Sequence, residues 1–127
     1  WVMFLDDDDK LSHTNTLAAI NSVIEEDNII FWKYRRPDAL IMPDITKHEL
    51  IKGEVDSTGY CFHNKYIQDN KWAVKRQGDF SFVSKLYPQI PNKKRLEYTL
   101  TEYQITNRIA SFGNSDIDMQ EGVELKY

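Results

Sequence analysis

The run Ile29-Ile30-Phe31-Trp32-Lys33-Tyr34 constrains this chain more than any other stretch. β-Branched and aromatic side chains pack well on a pleated surface, so the run reads as a strand. Arg36-Pro37 bars a helix from crossing that point, because the residue before a proline is pushed extended. Ahead of the strand, Leu17, Ile20, Val23 and Ile24 recur at helical spacing, with Ser12 or Thr14 able to cap. That spacing predicts a helix over about 14–26.

The rest of the chain reads mostly as short strands. Asp38 to Met42 is one, halted by Pro43-Asp44, and His48 to Asp56 is another, with Gly53 as a bulge. Tyr60 to Gln68 and Lys71 to Arg76 flank Asp69-Asn70, the form of a two-residue hairpin. Phe80 to Leu86 follows the turn Gln77-Gly78-Asp79, and Pro88 and Pro91 bracket a loop. Leu96, Tyr98 and Leu100 alternate with Glu97 and Thr99, as a half-buried strand does. Thr101 to Gln104 has capping-box spacing, with Ile105, Ile109 and Phe112 at i, i+4, i+7 and a stop at Gly113-Asn114. That predicts a second helix over about 102–112, and Val123 to Tyr127 reads as an edge strand. The expected class is α+β: a mainly antiparallel sheet of five to seven strands flanked by two helices.

Composition narrows the function classes. With 127 residues, 41% hydrophobic and 28% charged, the chain has the makings of one folded domain. Cys61 is the only cysteine, which excludes an internal disulfide and argues against a cysteine-based zinc site. No apolar run approaches the roughly 18 residues of a membrane span, and Trp1 to Leu5 is too short for a signal-peptide core. No membrane partner and a cytoplasmic location are the defaults. Asp6-Asp7-Asp8-Asp9-Lys10 has the form of an enteropeptidase recognition site and resembles an expression-tag remnant. Residues 1–11 are therefore set aside as an acidic leader, and 12–127 form the expected domain.

The stretch with most chemistry runs from Trp32 to Lys65. It holds Arg36-Pro37-Asp38-Ala39-Leu40-Ile41, then Glu54-Val55-Asp56, then Lys65. Carboxylates on neighbouring strands supply the hard oxygen ligands that hold Mg²⁺ against a phosphate, and a lysine offsets developing charge. Over residues 14–66 this pattern resembles the restriction-endonuclease-like superfamily and plasmid replication-relaxation proteins. The resemblance implies a metal-dependent nuclease: Asp38 and Glu54 as metal ligands for Mg²⁺ or Mn²⁺, with Asp56 and Lys65 completing the catalytic set. Asp56 stands where the family has its lysine, so Lys65 serves as the stand-in.

A second set suits nucleic acid. Residues 65–95 carry eight basic residues against two acidic ones, in a chain whose net charge is −4. Lys71, Lys75, Arg76, Lys93, Lys94 and Arg95 would neutralise phosphates while Trp72 stacked on a base. Period-2 alternation argues for the other arrangement, with aromatics in the core and lysines in solvent. His13, His48 and His63 match no zinc spacing. Cys61 and His63 share one strand face without an oxyanion-hole signature, so Cys61 reads as a small core residue. The resulting expectation is a small binding or assembly domain without catalysis and without a cofactor. Its partner is a protein or a second copy of itself, with nucleic acid admissible. The nuclease, or a degenerate nucleic-acid-binding relative, is the alternative.

Overall fold

A computed structural model describes residues 1–7, 9–36, 41–42, 50, 52, 54–68, 70–72 and 78–103. Its class is α+β. The strands are β1 (Val2–Met3), β2 (Asp9–Leu11), β3 (Asn28–Arg35), β4 (Ile41–Met42), β5 (Tyr60–Phe62) and β6 (Asn92–Tyr103), and the helices are α1 (Thr16–Asn21) and α2 (Gly78–Leu86). The sheet runs β1-β5-β3-β6-β2, with β4 pairing the end of β3. Every pairing is antiparallel except the central one, β3 with β6, which is parallel.

The aromatic run is β3, at the centre of the sheet. Successive side chains of a strand point to opposite faces, and here both faces are covered. Ile29 and Phe31 enter one core with Val55, Tyr60, Phe62, Phe82, Val83, Leu86 and Ile90. Ile30 and Trp32 enter another with Ile20, Cys61, Leu96 and Leu100. The Trp32 indole is anchored in a buried polar junction. Its Nε1–H donates to Thr58 O at 3.0 Å and to Thr101 Oγ1 at 3.1 Å, and the Thr101 hydroxyl donates to Thr58 O at 3.0 Å. Gly59 lies under the Tyr34 ring, where an added Cβ would sit 3.1 Å from Tyr34 Cδ1.

Several local expectations give way to tertiary context. Phe80 to Leu86 belongs to a helix, because Phe82, Val83 and Leu86 then share one buried face. Tyr60 to Gln68 is a strand only to Phe62. His63 Nδ1 accepts from Lys65 N–H at 3.2 Å and opens a 3₁₀ turn, Asn64–Tyr66. Among the described residues no strand flanks Asn70, and its amide instead donates to Tyr66 O and Gln89 Oε1. Asp56 is not in a strand: its carboxylate accepts from Thr58 N–H and caps the 3₁₀ turn Ser57–Gly59. Leu96, Tyr98 and Leu100 do not share a face. Between the pairs Phe31↔Arg95 and Lys33↔Thr99, β6 carries extra residues, and this bulge turns Tyr98 out to 63% exposure.

Thr101 does not cap a helix, since β6 continues through Tyr103. Residues 104–112 of the expected second helix lie outside the described residues, as does Val123 to Tyr127. The first helix is shorter than expected, and the Thr16 hydroxyl ties it to the sheet by donating to Leu100 O at 3.1 Å. Residues 1–11 are not outside the fold. They contribute β1 and β2, and Phe4 packs edge-on against Tyr60, Trp72 and Phe82. No helix among the described residues is long and apolar enough to cross a membrane.

Candidate functional site

Three places on this scaffold concentrate chemistry: an acidic corner, a surface ion cluster and an apolar groove. The acidic corner gathers at the C-terminal end of β3. Tyr34 there donates its hydroxyl to Glu54 O at 3.2 Å, and Asp56 accepts from Ser57 Oγ at 3.1 Å. Asp6, Asp9 and Asp79 complete it, and burial with neighbouring carboxylates raises the pKa of all three. Asp9 is the extreme case. Its side chain is buried at 9% exposure, and desolvation, then Asp6 and Asp56, push its pKa up to about 7. Tyr60 is fully buried beside this corner, with its hydroxyl unpartnered among the described residues and its pKa raised by burial.

Of the described members of the predicted nuclease set, Lys65 stands apart from the other two. Glu54 and Asp56 lie in this corner, but Lys65 is at the other end of β3. Its ammonium bridges Glu26 Oε1 at 2.9 Å and Asp27 Oδ1 at 2.7 Å, just before that strand begins. The length of β3 separates it from Tyr34 and Glu54 by roughly 20 Å. The two carboxylates and the Tyr66 hydroxyl, which donates to Asp27 at 2.7 Å, consume the lysine's surroundings in a solvent-exposed cluster. The ion pairs raise the Lys65 pKa and lower those of Glu26 and Asp27, so the lysine stays charged and committed. Asp38 lies outside the described residues. Among those residues, no group of three His, Cys, Asp or Glu side chains is placed to hold a metal ion.

The predicted nucleic-acid set is also dispersed. Lys75 and Arg76 lie outside the described residues. Trp72 is 38% exposed, but one ring face stacks on Phe82 at 5.0 Å and Phe4 meets it edge-on at 5.1 Å. Lys93 turns back to Ile90 O at 2.5 Å and lies over the Tyr87 ring, and Arg95 lies over Phe31. Lys71 and Lys94 are exposed. Trp72 packs beside the residue that follows β1, whereas Lys93 to Arg95 ride on β6. Three strand spacings, about 14 Å, intervene.

The apolar groove was not foreseen. A cavity of about 500 Å³ opens between α1 and the β1–β5 edge, lined by Trp1, Met3, Leu17, Ala18, Ile20, Asn21, Ile24 and Cys61. Trp1 and Leu17 stand 41% and 57% exposed at its rim. Trp1 is propped edge-on against His63 at 5.7 Å. Burial pushes the Cys61 thiol up to about 12, so it lines the groove as an apolar, un-ionised group rather than a nucleophile. The only sequence signal was the helical repeat of Leu17, Ile20 and Ile24, which is also what an ordinary core helix shows. Nothing in that repeat says that its partner, β1, comes from residues 1–11. No family model, no curated protein and no solved structure matches this chain.

Proposed function

We propose that this chain is a non-catalytic binding module that seats an apolar segment of a partner protein in the groove between α1 and β1. The observation that carries the reading is the groove itself. It is a concavity of about 500 Å³ with exposed Trp1 and Leu17 at its mouth, on the face of the sheet that α1 is the only described helix to cover. Concave apolar sites with a few aromatic anchors are the usual geometry for burying a partner's side chains. Its chemistry supports binding rather than catalysis. Asn21 is the one polar amide in the lining, and the Cys61 thiol is held protonated.

The test places a photo-crosslinking residue at position 17, at the groove, or at position 94, on the exposed part of β6, in the source cells. A discrete protein adduct from position 17, lost on adding Ile24→Asp, is the expected result. Equal adducts from both positions, or none from position 17, would overturn the reading. The nuclease alternative is tested beside it by Mg²⁺- and Mn²⁺-dependent cleavage of labelled nucleic acid. Cleavage abolished by both Asp38→Ala and Glu54→Ala would move the function to those carboxylates.

A further inference from the structure

Asp9 is an unusual residue to find inside a sheet. It opens β2, an edge strand of three residues that pairs Asp9↔Tyr103, Lys10↔Glu102 and Leu11↔Thr101 with β6. Its carboxyl is buried, and neither oxygen has a hydrogen-bond partner among the described residues. The charges that oppose its ionisation are the Asp6 carboxylate from the preceding turn and Asp56 from the cap of the Ser57–Gly59 turn; the Asp6 amide and the Thr58 hydroxyl, close by but not in hydrogen-bond geometry, favour the carboxylate to a smaller extent. Asp79, from α2, belongs to the same acidic group, and Asp56 and Asp6 in turn raise its pKa. Arg36 belongs to the same corner and acts on Tyr34. No described cation is among the groups that act on Asp9.

A buried carboxylate in that setting is costly, and three things can relieve it: a cation, a proton or exposure to water. The described side chains are not arranged to hold a metal ion. A neutral carboxyl fits the site as it stands. Against ionisation, β2 offers little resistance. Beyond its short ladder it has the Lys10–Glu102 pair at 2.8 Å, whose lysine is exposed and whose glutamate is half-buried, and the Ser12 N–H bond to Leu100 O at 2.9 Å. Surface ion pairs contribute little, and a terminal three-residue edge strand opens locally at small cost.

We propose that Asp9 is a proton-operated latch: β2 docks on β6 with the Asp9 carboxyl protonated and undocks when the proton passes to water. Phe4, packed among Tyr60, Phe62, Trp72 and Phe82, pins the segment on one side, and Thr16, bonded to Leu100 O, pins it on the other. The motion is therefore confined to the chain between them. Undocking bares the outer edge of β6 from Thr101 to Tyr103, so that ionisation of one side chain uncovers a strand edge able to pair with another chain. The inference does not depend on what occupies the groove.

The sign follows from linkage. An exposed aspartate in the undocked chain titrates near 3.9, whereas the docked one titrates near 7. Docking is thus favoured below the lower value, weakens by up to tenfold per pH unit between the two, and is constant above the upper one. Amide hydrogen exchange of Ser12, corrected for the intrinsic pH dependence, reads this directly, and the Asp9 carboxyl carbon shift gives the titration midpoint. We expect Ser12 protection to fall at least tenfold from pH 5 to pH 7 and then level off, while Asp9→Asn abolishes the fall. Asp6→Asn, at an exposed position, keeps the fold and moves the Asp9 midpoint down by removing one facing charge. An Asp9 midpoint near 4, or Ser12 protection that falls equally in Asp9→Asn, would overturn the latch.

Discussion

The two faces of the sheet are built differently. On one, α2 presses Phe82, Val83 and Leu86 onto Ile29, Phe31, Tyr60 and Phe62, and Phe4 and Trp72 seal the edge with ring contacts of 5.0–6.4 Å. On the other, the short α1 supplies Ile20 to a smaller cluster around Ile30, Trp32, Cys61, Leu96 and Leu100, and the groove opens beside it. A continuous apolar strand such as β3 demands cover on both faces, but the cover need not be equal. The thick face accounts for holding the fold together, which leaves the thin face free to keep an apolar concavity open.

The largest break in this comparison should come from Phe82→Ala on the thick face. Removing a ring from a close-packed aromatic cluster leaves a cavity that cannot collapse, so a loss of about 3–5 kcal/mol is expected in urea denaturation. Ile20→Ala on the thin face should cost less, about 2 kcal/mol, because the space it leaves merges with an existing opening. Equal losses from the two would show that the faces are not different in kind.

Thr101→Val sharpens the picture between the faces. It removes the hydroxyl that links Trp32 Nε1 to Thr58 O while leaving the indole its bond to that carbonyl, so about 1 kcal/mol is the expected cost. A loss as large as that of Phe82→Ala would make this junction, rather than the aromatic cluster, the centre of stability. Smallest of all is Lys65→Ala. Its ion pairs with Glu26 and Asp27 are solvent-exposed and should be screened. An unchanged denaturation midpoint is expected; a clear drop would mean that this cluster does more than decorate the surface.

Reading the chain residue by residue recovered some parts and not others, for identifiable reasons. Phe80 to Leu86 offered apolar residues at both period 2 and helical spacing, and only the need to seat Phe82, Val83 and Leu86 together on the sheet chose the helix. Glu54, Asp56 and Lys65 looked like one set because they are close in sequence. Yet β5 carries the chain along β3 between them, and the set is pulled to opposite ends. The acidic run at Asp6 to Asp9 reads as a solvated leader, since four adjacent carboxylates have no local reason to enter a sheet. Asp9 alone of the described carboxylates in that run is buried, where it pairs with β6, more than ninety positions away along the chain.

What the sequence by itself determined is the local skeleton: a central strand at Ile29 to Tyr34, a helix before it, a strand through Leu96 to Leu100 and the α+β class. β-Branched and aromatic runs, proline stops and helical repeats act over a few residues and need no partner to be recognised. Only the tertiary structure decided that β3 and β6 pair in parallel, that residues 1–11 close both edges of the sheet, and that one face keeps a groove. Those outcomes depend on contacts between residues far apart in the chain, where the free energy of burial comes from surfaces that no single segment contains.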